Sequence, residues 1–269
     1  SISNSQQNIM NSKEITTQIV QWLINYSEKS KTSGYVVGVS GGIDSALTST
    51  LCAMTGLPTL CLDMPISQNK NEQKRGLNHI SWLKLYYDNV KTETVDLSRT
   101  FESFKITAEK KCDKNLLALA NSRSRLRMAT LYYFSTINNH LVVGTGNKVE
   151  DFGIGFYTKY GDGGVDISPI ADLYKTEIFE ISSHLGINKD IIDAKPTDGL
   201  WDDGRTDEDQ IGATYKELEW AMKQKDNGKI STDFEGREKE VFLILEQFNN
   251  ANVHKIQPIP VFLIPEKLR

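Results

Sequence analysis

The apolar positions of this chain change their period repeatedly, which predicts helices and short buried strands in alternation. Ahead of Gly34 apolar residues recur every three or four positions and predict an amphipathic helix; they are Ile9, Ile15, Ile19, Trp22, Leu23 and Tyr26. Short, mostly apolar runs between turn residues predict strands at residues 35–39, 59–64, 93–97 and 141–144. Helical spacing predicts helices at residues 46–54, 71–85, around Phe101, and at 115–137, 173–185, 206–223 and 237–248.

This order of elements predicts an α/β fold. We expect a doubly wound, Rossmann-like parallel sheet of about five strands, flanked by helices and followed by C-terminal helices. In such sheets ligands bind beyond the carboxyl ends of the strands, near the position where the strand order reverses. The loops at Ser40, Met64 and Gly144 should therefore converge on one crevice.

The most informative stretch is VVGVSGGIDSAL, residues 36–47, in which a buried strand leads through glycines into a helix. Gly41 and Gly42 allow a tight turn and a close approach of backbone amides to an anion, which the following helix N-terminus also favours. Asp44 is itself an acid, and its place here is explained if it binds a metal ion between protein and phosphate. The plainer interpretation is a turn in which Asp44 caps the helix.

The loop spacing matches neither GxxxxGK[ST] nor GxGxxG. It resembles the pyrophosphatase loop of ATP-splitting enzymes that form amides or thiolate their substrates. That resemblance implies cleavage of ATP at the α-phosphate and leaves the substrate open.

Composition favours a single enzyme domain that acts on small molecules. The 269 residues, 39% hydrophobic and 25% charged, suffice for one large α/β domain spanning residues 1–269. A net charge of -4 argues against a nucleic-acid partner held by its phosphates. Since there is no CxxC pair and no long apolar run, we expect buried thiols, no membrane contact and a cytoplasmic location; the cysteines are Cys52, Cys61 and Cys112.

A second unusual segment, residues 143–169, combines seven glycines, two lysines and four acids with interleaved aromatic residues. The aromatic residues favour a ligand-shaped surface over disordered coil. Glu150 would supply a second hard oxygen ligand beside Asp44. Lys159, and Lys175 further along the chain, can meet phosphates as point charges, although each alone is an ordinary surface lysine.

Five separated motifs make the chain resemble the NAD synthetase family, whose members use ammonia to amidate nicotinic acid adenine dinucleotide (deamido-NAD). The motifs are SGGIDS at 40–45, NSRSRLRM at 121–128, GTGNKVE at 144–150, FYTKYGDGGVD with PIADLYKTE through Glu177, and KPTDGLWDDGRTDEDQIG at 195–212. A His-Lys pair, His254 and Lys255, precedes a proline-rich tail, as in the family.

The resemblance implies a role for each matching position. The implied ATP site consists of Gly38, Val39, Ser40, Gly41, Gly42, Ile43, Asp44, Ser45, Thr145, Lys175 and Thr197. Asp44 and Glu150 would bind Mg²⁺ and, with Lys175, support catalysis. The implied deamido-NAD site consists of Arg125, Lys159, Asp166, His254 and Lys255. Without the resemblance, His254 would be an ordinary surface histidine.

The implied reaction needs no protein nucleophile. The nicotinate carboxylate would attack the α-phosphorus of ATP, pyrophosphate would leave, and ammonia would replace AMP on the resulting acyl-adenylate. The family also implies a homodimer with the substrate site at the subunit interface. We expect free ammonia as the nitrogen source, because the chain is too short for the glutaminase domain of glutamine-using relatives, unless a separate subunit supplies it.

Three departures from the family pattern stand out. GTGNKVE is closer to archaeal and glutamine-dependent members than to the many bacterial ones that have Gly-Thr-Asp-His-Ala-Ala-Glu. The segment between Glu150 and Phe156 is one residue longer than in those bacterial members. Asp63 and Met64 stand where some relatives place Arg-Leu against the adenosine.

Two other classes of function share the phosphate loop. One is another ATP-pyrophosphatase, either a GMP-synthetase-like amidating module or a tRNA-thiolating enzyme. The missing CxxC pair and the acidic pI of about 5.7 disfavour thiolation, and TKYGDGG disfavours both. The other class is a nucleotide sensor without catalysis, which the presence of both Asp44 and Glu150 disfavours.

Overall fold

A parallel sheet of four strands organises the described part of the chain. The computed structural model describes residues 2, 10–67, 70–109, 115–197 and 204–269. The strands are β1 Gly34–Gly38, β2 Thr59–Asp63, β3 Val90–Thr94 and β4 His140–Val142. They lie in the order β3-β2-β1-β4, so that Val36 of β1 pairs with Leu60 on one side and Val142 on the other. The strand order therefore reverses at β1, between the loops that follow β1 and β4.

Helices cover both faces of this sheet, which confirms the predicted α/β class. The α-helices of the described residues are α1 Ser12–Ser30, α2 Ile43–Met54, α3 Lys70–Tyr86, α4 Ser98–Glu109, α5 Leu116–Asn138, α6 Lys175–His184, α7 Lys189–Ile192, α8 Asp207–Ile211, α9 Tyr215–Asp226 and α10 Gly236–Ile256. A π-helix spans Val149–Ile154, and 3₁₀ turns span Ser231–Asp233 and Glu266–Leu268. None of the helices described is long and apolar enough to cross a membrane.

Two predictions about the sheet need correction. About five strands were expected, but the described residues form four, and the chain near β4 makes only an isolated bridge between Val143 and Ile167. The third strand begins at Val90 and ends at Thr94, earlier than the predicted 93–97. Its sequence KTET is mostly exposed because β3 lies at the edge of the sheet, so that the apolar signal for this strand is weak.

Two predictions about the helices also need correction. The helix expected at 206–223 is broken into α8 and α9. Gly212, with φ +83°, ends the first, and a capping box of Thr214 and Glu217 starts the second. The helix around Phe101 is twelve residues long, and α7 was not predicted. Ile9, Cys112 and residues 198–203 of the KPTDGLWDDGRTDEDQIG motif lie outside the described residues.

Separate apolar clusters cover the two faces of the sheet, and a further cluster lies among the π-helix, α9 and α10. Leu23, Leu47 and Ile178 from α1, α2 and α6 pack on one face with Tyr35 and Val37, whereas Leu126 and Leu131 of α5 pack against Val36 on the other. Cys52 and Cys61 are buried free thiols, as predicted. A distinct apolar cluster joins the π-helix to α9 and α10; it includes Val149, Ile154, Tyr215, Leu218, Val241 and Phe242. This cluster holds α9 beside the carboxyl edge of the sheet.

A buried histidine between α2 and α3 should make stability depend on pH. His79 is 1% exposed, its Nε2 lies 3.0 Å from the Ser49 hydroxyl oxygen, and burial lowers its pKa to about 4. In the unfolded chain His79 binds a proton below a pH of about 6.5, whereas in the folded protein it does so only near pH 4. The free energy of unfolding therefore falls as the pH drops from about 6.5 to about 4. The expected total loss is about 3 kcal/mol.

Urea unfolding of the wild type and of His79→Gln between pH 7 and pH 4 checks this expectation. The variant should lose less stability over that range than the wild type. The matched control is His184→Gln, at an exposed position near the end of α6. Parallel pH profiles for the wild type and His79→Gln would contradict the assignment.

Candidate active site

The loop between β1 and α2 has the strand–turn–helix geometry that its sequence predicted. The Val39 amide still donates to Leu62 of β2 at 2.9 Å, and α2 begins at Ile43. Gly41 has φ +92°, and a Cβ atom there would lie 2.2 Å from the Glu72 carbonyl oxygen of α3. Only glycine fits this position, because both the backbone conformation and the contact with α3 exclude a side chain.

Two hydroxyls stabilise the loop from inside. The hydroxyl oxygens of Ser40 and Ser45 lie 3.2 Å apart, the Gly42 amide donates to Ser40, and Ser45 donates to the Gly42 carbonyl. The loop held by these bonds lies at the N-terminus of α2, where the backbone amides and the helix dipole favour a phosphate. Binding of a phosphate by this loop stays a prediction.

At the start of α6, Lys175 joins two of the predicted site carboxylates. It is 3% exposed, and its Nζ lies 2.5 Å from Asp44 Oδ2 and 3.5 Å from Glu150 Oε1. Burial alone would lower its pKa, but Asp44 and Glu150 raise it above the ordinary lysine value. Burial raises the pKa of Asp44 to about 6 although Lys175 opposes the shift. The tertiary fold therefore brings Asp44, Glu150 and Lys175 into one charged cluster.

Glu150 lies in the π-helix Val149–Ile154. A π-turn accommodates an extra residue within a helix and often occurs at functional sites, which fits the longer segment noted between Glu150 and Phe156. The turn packs closely on α9 and α10: a Cβ on Gly153 would lie 2.7 Å from Met222 Sδ, and Asn252 donates to the Ile154 carbonyl at 2.9 Å. Glu150 is consequently presented from a well-supported turn.

Two residues that the sequence analysis did not assign to the site complete this cluster. The Tyr215 hydroxyl lies 2.8 Å from Glu150 Oε1 and 3.0 Å from Asp207 Oδ2. Burial and the neighbouring carboxylates raise the pKa of Tyr215, so its hydroxyl keeps its proton. Tyr215 also places its ring 5.0 Å from Lys175 Nζ. Asp207 lies in the last family motif, but no local pattern links Tyr215 to Glu150.

The donor set fits a divalent cation with hard oxygen ligands. Asp44 uses Oδ2 for Lys175 and leaves Oδ1 buried without a hydrogen-bond partner of its own. Glu150 uses Oε1 for Tyr215 and Lys175, and the described residues place no donor on Oε2. Asp44 and Glu150 share one buried ammonium group, and a divalent cation would offset their remaining negative charge.

The same cluster is too small to enclose such an ion. Among the described residues no three His, Cys, Asp or Glu side chains are placed to hold a metal by themselves. An ion bound at Asp44 and Glu150 would complete its shell with phosphate oxygens and water, which is the coordination that Mg²⁺ prefers.

The residues predicted to bind deamido-NAD form a second group around the glycine-rich segment. Arg125 of α5 donates to the Lys159 carbonyl at 3.1 Å, and Lys159 Nζ donates to the His254 carbonyl at 2.8 Å. Lys255 Nζ donates to the carbonyls of Gly155 and Tyr157 at 2.9 and 2.7 Å. The fold thus unites Arg125, Lys159, His254 and Lys255, which are far apart in the sequence.

Asp166 makes its described contacts outside this group, beside the last residue of β4. Its Oδ2 accepts from the Val142 amide at 2.8 Å and its Oδ1 from the Tyr132 hydroxyl at 2.9 Å. Both oxygens therefore already have a partner within the fold. Burial and the neighbouring Asp166 raise the pKa of Tyr132, so its hydroxyl keeps its proton and donates to Asp166.

Thr145 and Thr197 are the two threonines predicted for the ATP site. Thr145 follows β4 at the carboxyl edge of the sheet. Thr197 is exposed and donates to the Arg205 carbonyl at 3.3 Å, while the preceding Pro196 accepts from the Asp207 amide at 3.1 Å. No described contact joins either threonine to the phosphate loop, so their ATP contacts stay predictions.

A cavity of about 110 Å³ lies between the glycine-rich segment and α10. It is lined by Gly144, Gly146, Asp151, Phe152, Tyr157, Asp162, Gly163, Val165, Ser168 and Ile256. Asp162 is one of these lining residues, and its Oδ1 accepts from the Thr158 amide and the Ser124 hydroxyl. The lining combines aromatic rings, glycines and two carboxyl groups.

The comparison with known protein families decides the assignment. A family model described as NAD synthase matches residues 15–259. This chain belongs to that family. The resemblance drawn from the motifs is thereby confirmed.

Individual known proteins are similar to this chain over nearly its whole length. The NH(3)-dependent NAD(+) synthetases of Methanosarcina acetivorans and Archaeoglobus fulgidus are each 36% identical to it; the matches cover 94% and 96% of this chain and 98% and 100% of theirs. A solved NMN synthetase from Francisella tularensis has a TM-score of 0.81 at 32% identity, covering 96% of this chain and 99% of its own. The NH3-dependent NAD synthetase of Campylobacter jejuni has a TM-score of 0.76 at 26% identity, covering 94% and 100%.

Proposed function

We propose that the protein amidates deamido-NAD to NAD with ammonia, using ATP and releasing AMP and pyrophosphate. The observation that carries the proposal is the bridge from Lys175 to Asp44 and Glu150 beside the phosphate loop, in a chain of the NAD synthase family. A buried cation and two hard carboxylates lie together at the start of α2, directly after the glycine turn. These are the groups that phosphoryl chemistry needs.

In the first step a nicotinate carboxylate oxygen attacks the α-phosphorus of ATP, and the bond from this phosphorus to pyrophosphate breaks. The Lys175 ammonium and the positive end of α2 offset the negative charge that develops on the leaving group. Mg²⁺ held by Asp44 and Glu150 would supply Lewis-acid stabilisation of the same phosphates.

In the second step the ammonia nitrogen attacks the carbonyl carbon of the acyl-adenylate, and the carbon–oxygen bond to AMP breaks. The attacking nitrogen then loses a proton to water. The cavity near Asp162 would seat the nicotinate ring, while Arg125, Lys159, His254 and Lys255 would hold the rest of the dinucleotide.

The remaining expectations belong to the same proposal. We infer that residues 1–269 act as one catalytic domain, that free ammonia is the nitrogen source, and that the enzyme is a cytoplasmic homodimer with its substrate site at the interface. Exposed apolar side chains on α5 support a subunit contact; they are Leu116, Leu117, Tyr133 and Ile137.

A direct assay tests the reaction. The protein is mixed with ATP, Mg²⁺, ammonium and deamido-NAD, and NAD and AMP are measured by chromatography; both should form in equal amounts. Parallel reactions replace deamido-NAD with nicotinic acid mononucleotide, because one similar structure is an NMN synthetase, or with xanthylate or tRNA. Modification of xanthylate or tRNA without NAD formation would overturn the proposal, and a preference for the mononucleotide would change its substrate.

A lysine in the second group should separate the two substrates. Lys159→Ala removes the contact between Lys159 Nζ and α10, so we expect the KM for deamido-NAD to rise about 10-fold and that for ATP to change by less than about 2-fold. Steady-state kinetics with each substrate varied in turn provide the measurement, with Lys225→Ala on α9 as an exposed control. A larger effect on the KM for ATP would move Lys159 to the ATP side.

A further inference from the structure

The Tyr215 hydroxyl occupies an unusual position for a buried tyrosine, between two carboxylates and beside a lysine. We propose that Tyr215 is a positioning residue, which holds Glu150 Oε1 towards Lys175 so that Glu150 Oε2 stays available, beside Asp44 Oδ1, to the cation that accompanies ATP. This inference rests on the proposed function, because it concerns the same ATP site. It adds Tyr215 to the site and assigns a different role to each oxygen of Glu150: Oε1 binds Tyr215 and Lys175, and Oε2 remains for the cation.

The contacts of the hydroxyl support this role. Tyr215 is 4% exposed, and its hydroxyl lies 2.8 Å from Glu150 Oε1, the same oxygen that Lys175 Nζ approaches at 3.5 Å. One carboxylate oxygen thus accepts from the Tyr215 hydroxyl and faces the Lys175 ammonium, and the described residues place no donor on the other. A carboxylate held at one oxygen keeps its second oxygen in a defined direction, which is how neighbouring groups orient metal ligands.

The helix that carries Tyr215 is fixed to both halves of the cluster. Glu219, one turn further along α9, accepts from the Thr176 amide at 3.0 Å and from its hydroxyl at 2.8 Å, directly after Lys175. Met222, on the same face, contacts Gly153 of the π-helix that contains Glu150. Through these contacts α9 sets the position of Lys175 and of Glu150 relative to each other.

The hydroxyl has a specific electrostatic task as well. Asp207 Oδ2 lies 3.0 Å from the same hydroxyl oxygen, so the single hydroxyl proton is shared by two carboxylate oxygens, of which Glu150 Oε1 at 2.8 Å is the nearer. Without the hydroxyl, Glu150 Oε1 loses its nearer donor in a buried site. Glu150 is then free to turn both oxygens towards Lys175, and the oxygen left for the cation is lost.

Binding of Mn²⁺ tests the inference without turnover. Mn²⁺ stands in for Mg²⁺, and its binding in the presence of ATP and the absence of deamido-NAD is followed by electron paramagnetic resonance. Tyr215→Phe keeps the ring against Lys175 and should weaken Mn²⁺ binding about 10- to 100-fold, with a similar loss in kcat and little change in the KM for deamido-NAD. Tyr35→Phe, a buried tyrosine at the start of β1, is the control and should match the wild type.

A double variant separates positioning from a general structural effect. If Tyr215 acts through Glu150, adding Tyr215→Phe to Glu150→Gln should change Mn²⁺ binding by less than about 2-fold beyond Glu150→Gln alone. Additive losses, or wild-type Mn²⁺ binding in Tyr215→Phe, would overturn the inference. Urea unfolding shows whether each variant is folded, and Mn²⁺ binding by a wild type that makes no NAD would reject the proposed reaction alone.

Discussion

Asp44→Asn is expected to lower pyrophosphate release about 1000-fold or more while the fold stays intact. The change is almost isosteric, but it removes the negative charge that Lys175 Nζ contacts and the charged oxygen Oδ1 that remains for a cation. An amide in that position would also turn either a weaker acceptor or a donor towards an ammonium group. A coupled assay for pyrophosphate, with ATP and deamido-NAD at saturation, measures the loss.

The matched control for this change is Asp172→Asn. Asp172 also pairs with a lysine, Lys148 at 3.1 Å, but its side chain is 96% exposed. Its replacement should leave the rate within about 2-fold of the wild type, since an exposed ion pair is weak. Glu150→Gln should resemble Asp44→Asn, and full activity in either variant would remove that residue from the proposed metal site.

Lys175→Met is expected to cost both activity and stability. Lys175 is the buried cation between Asp44 and Glu150, so its loss leaves two carboxylates together in a site where burial disfavours their charge. Removal of one partner from a buried ion pair destabilises a protein by about 3–5 kcal/mol. Urea unfolding at pH 7 gives the change in free energy, and the pyrophosphate assay gives the loss of rate.

A second substitution tests whether the destabilisation arises from unpaired charge. The double variant Asp44→Asn, Lys175→Met removes one of the two carboxylates and should recover part of the stability without recovering activity. Lys148→Met, which breaks the exposed pair with Asp172, should cost less than about 1 kcal/mol. A Lys175→Met protein as stable as the wild type would contradict the charge argument.

The strongest sequence signals were local, and the structure confirms the secondary structure that they predicted. VVGVSGGIDSAL predicted a strand, a glycine turn and a helix, and the turn is observed with Gly41 at positive φ against α3. Local patterns work here because a strand period, a glycine and a helix start depend mainly on neighbouring residues. The edge strand β3 and the break at Gly212 were misjudged for the converse reason. Exposed polar strand residues and a single glycine within a helical pattern give weak local signals.

The candidate site was predicted residue by residue only where a motif carried it. Asp44, Glu150 and Lys175 came from three separate motifs, and their meeting in one cluster depends on the reversal of strand order at β1. Tyr215 lies 65 residues beyond Glu150 and belongs to none of those motifs. Its part in the cluster arises from the packing of α9 on the π-helix, which no local spacing encodes.

By itself the sequence determined the α/β class, the glycine turn between β1 and α2, and the family, because each depends on short patterns that do not require knowledge of distant contacts. Only the tertiary structure decided which oxygen of each carboxylate is occupied. It showed that Lys175 takes Asp44 Oδ2 and shares Glu150 Oε1 with Tyr215. The physical reason is that hydrogen bonds form between atoms and not between residue types, and the atoms of α2, the π-helix, α6 and α9 meet only when the sheet and its outer helices have packed.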